Sequence, residues 1–225
     1  DDYKYTTIYY NDITDTNNFK NLSEVLTSTL KKYIKIKEND NILVVGLGNP
    51  KSTPDSLGPK TIENILVTRH LKILNVLDNN YSSVSTFKPS VIADTGIESI
   101  NLIKGIIKDI KATKVIVIDA LKASKTERLV KTIQITNKGI NPGSGINNNR
   151  GEISKKTMNT EVVSIGVPTV VDIKTILKSI LKEEVTLENN LILTPTDIDF
   201  QIEKLSELLS QSINKTLHKK LYPTK

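Results

Sequence analysis

The 225-residue sequence has no cysteine, no tryptophan and only two histidines, His70 and His218. Without cysteine there is no disulfide framework, no thiol nucleophile and no thiolate-bound metal. Two histidines exclude a multi-histidine zinc site, and a histidine-based triad would have to use His70 or His218. Aromatic residues make up 4% of the chain, too few for the exposed stacking platforms of single-stranded nucleic-acid binders. No apolar run approaches the ~18 residues of a membrane span. The opening Asp1-Asp2-Tyr3-Lys4 carries no apolar leader run, so a cytoplasmic protein is expected.

Lysine and arginine number 31 against 25 aspartates and glutamates, a net charge of +6. The excess is spread along the chain and reads as a solvated mixed-charge surface rather than a polyanion groove, with no direct nucleic-acid partner expected. With 37% hydrophobic and 25% charged residues, the composition is that of a globular protein. A chain of this length removes roughly 70% of its unfolded surface from water on folding and is read as one domain, with residues 1–40 an arm and helix and residues 41–218 the core.

Residues 3–10, rich in tyrosine and threonine, predict an edge strand, and residues 12–20 a polar turn. Leu22, Val25, Leu26, Leu30 and Tyr33 recur at helical spacing and predict a helix over 21–34. Ile42-Leu43-Val44-Val45 and Val115-Ile116-Val117-Ile118 read as buried strands, the second ending at Asp119. Shorter strands are predicted at 84–87, 132–136 and 162–167, the last closed by Pro168. Helices are predicted over 59–71, from Ile97 through Ile107, over 171–181, and after Thr194-Pro195-Thr196-Asp197, where Ile198, Ile202, Leu205, Leu209 and Ile213 form one stripe. Apolar strands alternating with amphipathic helices predict a three-layer α/β fold, with a mainly parallel twisted sheet covered by helices on both faces.

In such sheets the site lies beyond the carboxyl ends of the strands, and two apolar strands deliver acids there. One runs into Gly46-Leu47-Gly48-Asn49-Pro50-Lys51-Ser52-Thr53-Pro54-Asp55; the other meets Asp119. A helix start near Asp55 favours its ionised form, whereas an apolar setting for Asp119 favours the protonated form. Two carboxylates pushed in opposite directions are what acid–base chemistry needs. Asp55 also fits an ordinary helix start, and Asp119 a loop hydrogen-bonding role. Asp94 reads as a turn or cap residue, and Glu98 and Asp172 as early-helix acids. The loop Pro142-Gly143-Ser144-Gly145 could hold an anion, form a substrate wall, or be plain surface loop; Ser144 lacks a His–Asp partner set for nucleophilic catalysis.

Gly46-Leu47-Gly48 after a strand invites a dinucleotide reading, but Lys51 stands where the third glycine of the fingerprint belongs. Gly46-Leu47-Gly48-Asn49-Pro50 with Thr68-Arg69-His70 is also similar to peptidyl-tRNA hydrolase. There the two signatures lie closer together, and asparagine follows the histidine where this chain has Leu71.

An ordered set of segments resembles the germination protease family of spore-forming bacteria. The set comprises residues 44–49, Thr53-Pro54-Asp55-Ser56-Leu57-Gly58-Pro59, Leu66-Val67-Thr68-Arg69-His70, Thr95-Gly96-Ile97-Glu98, Ile118-Asp119-Ala120-Leu121, Thr132-Ile133-Gln134-Ile135, Asn141-Pro142-Gly143-Ser144-Gly145 and residues 165–172, with Leu193-Thr194-Pro195 and Leu217-His218 near the end. The resemblance implies an atypical aspartic endopeptidase that degrades small acid-soluble spore proteins, made as a zymogen, tetrameric and located in the spore core. It implies Asp55 and Asp119 as the catalytic pair, no cofactor, and a fold similar to hydrogenase maturation peptidases. Asn49, Gly143, Ser144 and Gly145 are expected to line the substrate, and no metal or membrane partner is expected. Departures include Ser56 for alanine, Lys122-Ala123-Ser124-Lys125 after the second aspartate, Asn147-Asn148-Asn149, and the lack of a long insertion between Asp172 and Thr194. These leave two other readings open: an inactive sporulation-associated binding protein of the same fold, and a metal-dependent maturation-type peptidase.

Overall fold

The computed structural model describes residues 2–143, 151–182, 186 and 191–219. Among them are strands β1 (Tyr5–Tyr9), β2 (Asn41–Gly46), β3 (Ser83–Phe87), β4 (Lys114–Ala123), β5 (Thr132–Thr136), β6 (Glu161–Asp172) and β7 (Ile192–Leu193). The helices are α1 (Thr16–Tyr33), α2 (Leu57–Glu63), α3 (Arg69–Ile73), α4 (Ile92–Thr95), α5 (Ser99–Ile110), α6 (Lys155–Met158), α7 (Ile173–Leu181) and α8 (Ile198–Leu217). The strands form one sheet in the order β1-β5-β6-β4-β2-β3, with β7 added on β6.

The parallel half, β3-β2-β4-β6, carries the apolar runs. Strands β2, β4 and β6 are buried on both faces over most of their length, as crossover helices require, while β3 at the edge is half-buried. Alternate residues divide between two cores because side chains in a strand alternate faces. Val44, Ile116, Ile118 and Ile165 face a core filled by α1, α2 and α8. Leu43, Val45, Val115 and Val117 face the other, filled by Ile100, Ile103 and Ile107 of α5. This is the expected three-layer arrangement, extended by antiparallel pairing of β5 with β6 and of β1 with β5 at the edge. The stripe on α8 is sealed: Ile202, Leu205, Leu209 and Ile213 are all 0% exposed, each burial stabilising by roughly 1.5–3 kcal/mol.

Several boundaries depart from the sequence reading, each for a local reason. Helix α1 begins at Thr16 because Asp15 caps it, its carboxylate accepting from the Asn18 N–H at 2.8 Å. The helix expected over 59–71 divides into α2 and α3. Between them the Leu66 N–H donates to Asn214 Oδ1 of α8 (2.9 Å), and Thr68 exchanges bonds with Val84 of β3, N–H to C=O at 3.0 Å and Oγ1 from N–H at 3.0 Å. Strand β4 does not end at Asp119; it continues to Ala123 because β6 pairs with it throughout. Strand β6 likewise runs through Pro168 by a bulge: Leu121 pairs with Pro168 and Lys122 with Val170, leaving Thr169 as the extra residue. Asp172 is the N-cap of α7, accepting from the Lys174 N–H at 2.9 Å.

His218, where α8 ends, is 0% exposed and packs its ring 5.7 Å from that of Tyr81. Among the described residues neither ring nitrogen has a partner at normal hydrogen-bond geometry, although the Leu66 backbone lies near enough to offset a little of the burial. Burial therefore pushes the His218 pKa below its ordinary 6.5. The unfolded chain then binds the extra proton first, so stability present above 6.5 should drain away as pH falls below that value. Urea melts at pH 7.5 and 5.5 check this: the wild type should lose stability on acidification, and His218→Leu should lose less.

Candidate active site

The site begins with glycines. At the end of β2, a Cβ on Gly46 would fall 2.3 Å from the Gly58 carbonyl oxygen, and one on Gly58 would fall 2.2 Å from the Leu47 carbonyl oxygen. No side chain fits in that seam, so the amino end of α2 packs directly on the strand terminus. Gly48 adds a left-handed backbone (φ +117°), and a Cβ there would lie 2.0 Å from the Asp55 carbonyl oxygen. The Gly-x-Gly pattern is thus explained by close packing within the chain.

The same segment positions Asp55. The Leu47 N–H donates to the Ile118 carbonyl at 2.8 Å, tying the chain to β4 just before Asp119. Two residues later the Asn49 N–H donates to Asp55 Oδ2, also at 2.8 Å. A 3-10 turn over Thr53–Asp55, closed by the Ser56 N–H and hydroxyl on the Thr53 carbonyl, presents the half-buried carboxylate. Cα atoms of that turn come within 8 Å of β4 and of β6. Asp55 and Asp119 therefore stand at the same end of the parallel sheet, delivered by adjacent strands.

Asp119 is 5% exposed. It follows Val115 and Val117 in alternation, so it lies on the α5 face of the sheet. Its neighbour on β6 is Gly166, where a Cβ would fall 2.3 Å from Leu121 Cδ1. Leu121, two residues beyond Asp119, is folded over that glycine, and both Gly166 and Leu121 were invisible as site residues in the sequence. The hydroxyls of Ser164 and Thr169, on the same strand as Gly166, are buried and find no partner among the described residues.

Of the other residues expected here, Asn49 acts on Asp55 through its backbone, while its side-chain Oδ1 accepts from the Lys51 N–H at 2.9 Å. Gly143 is half-buried in a turn with φ +70°, beyond the Ile140–Ile153 bridge that joins the α5-side core. Ser144 and Gly145 lie outside the described residues. Asp94 is not a cap: α4 is capped by Val91, and Asp94 stands within its first turn. Its carboxylate accepts from the Ser90 hydroxyl at 2.6 Å and meets Lys51 Nζ at 3.4 Å, linking α4 to the Asp55 loop. The Ser90 hydrogen bond, then the Lys51 charge, hold it below the usual carboxylate range. His70 is exposed on α3, and His218 lies against Tyr81; among the described residues no three His, Asp or Glu side chains converge as a metal site.

The family model for germination proteases matches residues 2–182. The chain belongs to the germination protease family. It is 38% identical to the germination protease of Caldanaerobacter subterraneus subsp. tengcongensis, over 87% of this chain and 72% of the relative. It is also 38% identical to that of Clostridium tetani, over 89% of this chain and 73% of the relative. A 151-residue alignment with the Bacillus subtilis germination protease reaches 48% identity, covering 66% of this chain and 41% of the relative. Among solved structures, a [NiFe] hydrogenase maturation protease, HycI, from Thermococcus kodakarensis aligns with a TM-score of 0.46 and 15% identity, over 82% of this chain and 98% of that one.

Gly48 offers a direct check on how the site is built. Gly48→Ala should displace Asp55 while leaving both cores intact. With Asp55 taken as a reacting group, as proposed below, a shift of about 1 Å there costs on the order of a hundredfold in rate, so kcat should fall by about that factor while far-UV circular dichroism is unchanged.

Proposed function

We propose that this protease is an endopeptidase that hydrolyses small acid-soluble spore proteins through the carboxyl groups of Asp55 and Asp119 and a water molecule between them. The observation that carries the reading is the pair of backbone links, Leu47 to Ile118 and Asn49 to Asp55. These bring the two aspartates of the family segments to one end of adjacent parallel strands.

The roles follow from the two environments. An N–H donor aimed at a carboxylate favours its ionised form, and removal from water favours the neutral form. Asp55, holding the Asn49 N–H, is assigned as the base. It takes a proton from the water as its oxygen attacks the peptide carbonyl carbon. Asp119 is assigned as the acid, its carboxyl O–H donating to the carbonyl oxygen as negative charge develops there. Collapse of the tetrahedral intermediate breaks the C–N bond, and the leaving nitrogen takes a proton from the dyad. Two carboxyls in one site titrate as a pair, so the apparent pKa values belong to both.

Asn49 and Gly143, with Ser144 and Gly145, are assigned to the substrate wall, and action in the spore core, as a homo-oligomer matured from a zymogen, is part of the same reading. The family membership supports the peptidase, and its name supports a role in germination.

The test is incubation with purified acid-soluble spore protein at neutral pH and mass spectrometry of the products. Discrete fragments are expected, vanishing in Asp55→Asn and in Asp119→Asn, each folded by circular dichroism. Full cleavage by either variant would rule out the dyad. Cleavage that disappears with chelator and returns with Ni²⁺ or Zn²⁺ would replace it with metal chemistry. Stable co-elution with uncut substrate would make the protein a binder instead.

A further inference from the structure

We propose that a lysine-lined cleft at the amino ends of the strands binds a compact anion carrying several phosphate groups. The net charge of +6 looks dispersed along the sequence, but the fold gathers it. Lys4, Lys32, Lys35, Lys37, Lys114 and Lys155 line one cleft of about 360 Å³, within the ~300–1,000 Å³ of small-molecule sites.

These lysines arrive from separate places: the approach to β1, the last turn of α1 and the segment after it, the head of β4, and the amino end of α6. Lys114 is the buried member and is already neutralised, contacting Asp40 at 3.6 Å and bonding Glu161. The other five are exposed, and none has a carboxylate within ion-pair distance among the described residues. Lys32 complements the carboxyl-end dipole of α1, but Lys155, at the amino end of α6, gains nothing of that kind. Beyond Glu161, Asp2 is the remaining acid on the cleft lining.

Several unneutralised ammonium groups around one concave space repel each other, and an anion is drawn into such a space by the field they sum to. Lysine is a point-charge donor suited to phosphate, and five ammoniums call for an anion with more than one charge. A bounded cleft, rather than a long basic stripe, suits a compact ligand. The site is distinct from the aspartates: Asp119 lies five residue steps along β4 from Lys114, about 17 Å at ~3.3 Å per step.

The test is calorimetric titration of the whole chain with inorganic tripolyphosphate, with sulfate as comparison, in 50 and 200 mM NaCl. Tripolyphosphate is expected to bind at least tenfold more tightly than sulfate and to weaken with salt. The combined Lys32→Glu, Lys35→Glu and Lys155→Glu variant should lose at least tenfold in that affinity, with peptide cleavage unchanged. If charge reversal unfolds the chain, the glutamine triple should show the same loss. Equal affinity for tripolyphosphate and sulfate, or wild-type binding by a folded triple variant, overturns the proposal. So does a 20-base-pair duplex that binds more tightly than tripolyphosphate and depends on the same lysines, because the face would then belong to nucleic acid.

Discussion

Everything at the carboxyl end of the sheet rests on the seam where Gly46 and Leu47 meet Gly58. Backbone there lies against backbone, at separations that leave no room for even a methyl group. That approach lets α2 start directly at the strand terminus, and it lets the Leu47 N–H continue the ladder onto Ile118. The ten-residue segment between them is folded back on itself by Gly48 and the 3-10 turn over Thr53–Asp55. Asp55 is held by the Asn49 N–H on its carboxylate and by the bare backbone of Gly48 against its carbonyl. Such a seam is a packing constraint with a chemical consequence, because the spacing of a helix and a strand sets where a carboxylate stands relative to its neighbour.

The buried strands were legible because their runs of valine and isoleucine are suited to little else. The α8 stripe was legible for the same kind of reason, its period of burial being written in Ile198, Ile202, Leu205, Leu209 and Ile213. What escaped reading was decided by partners distant in sequence. Ala120-Leu121-Lys122-Ala123 has no β-branched residue, and it is strand only because β6 lies alongside. Nothing in Leu66-Val67-Thr68 announces a helix break; the break comes from Asn214 on α8 and Val84 on β3. At the site, both aspartates could be picked out from the apolar strands that precede them. Gly166 and Leu121 could not, since their meaning lies in a cross-strand register. The lysine cleft was hidden in the same way, its members being scattered from Lys4 to Lys155.

Two ends of one sheet thus carry opposite characters. At the carboxyl end, glycines and buried apolar strands set one half-buried and one buried aspartate toward the ends of adjacent strands. At the amino end, helix termini and strand heads crowd cations into a wet recess. The parallel strands make this polarity natural, because every β2-, β4- and β6-type strand begins on one side and finishes on the other. A Pro168 inside β6 is tolerated within that frame because the bulge at Thr169 interrupts the ladder there.

The continuation of β4 beyond Asp119 has a consequence for how a substrate can arrive. A residue at a strand terminus can be reached along the strand axis, and its backbone can swing with the loop that follows. Asp119 has neither freedom, for its main chain is flanked on both sides by residues laddered to β6. Only its two side-chain torsions are left to adjust, so little ordering entropy remains to be lost when a peptide binds. Under the proposed dyad, a polypeptide would meet Asp119 from the face of the sheet rather than along the strand, beside the Leu121 side chain that lies over Gly166.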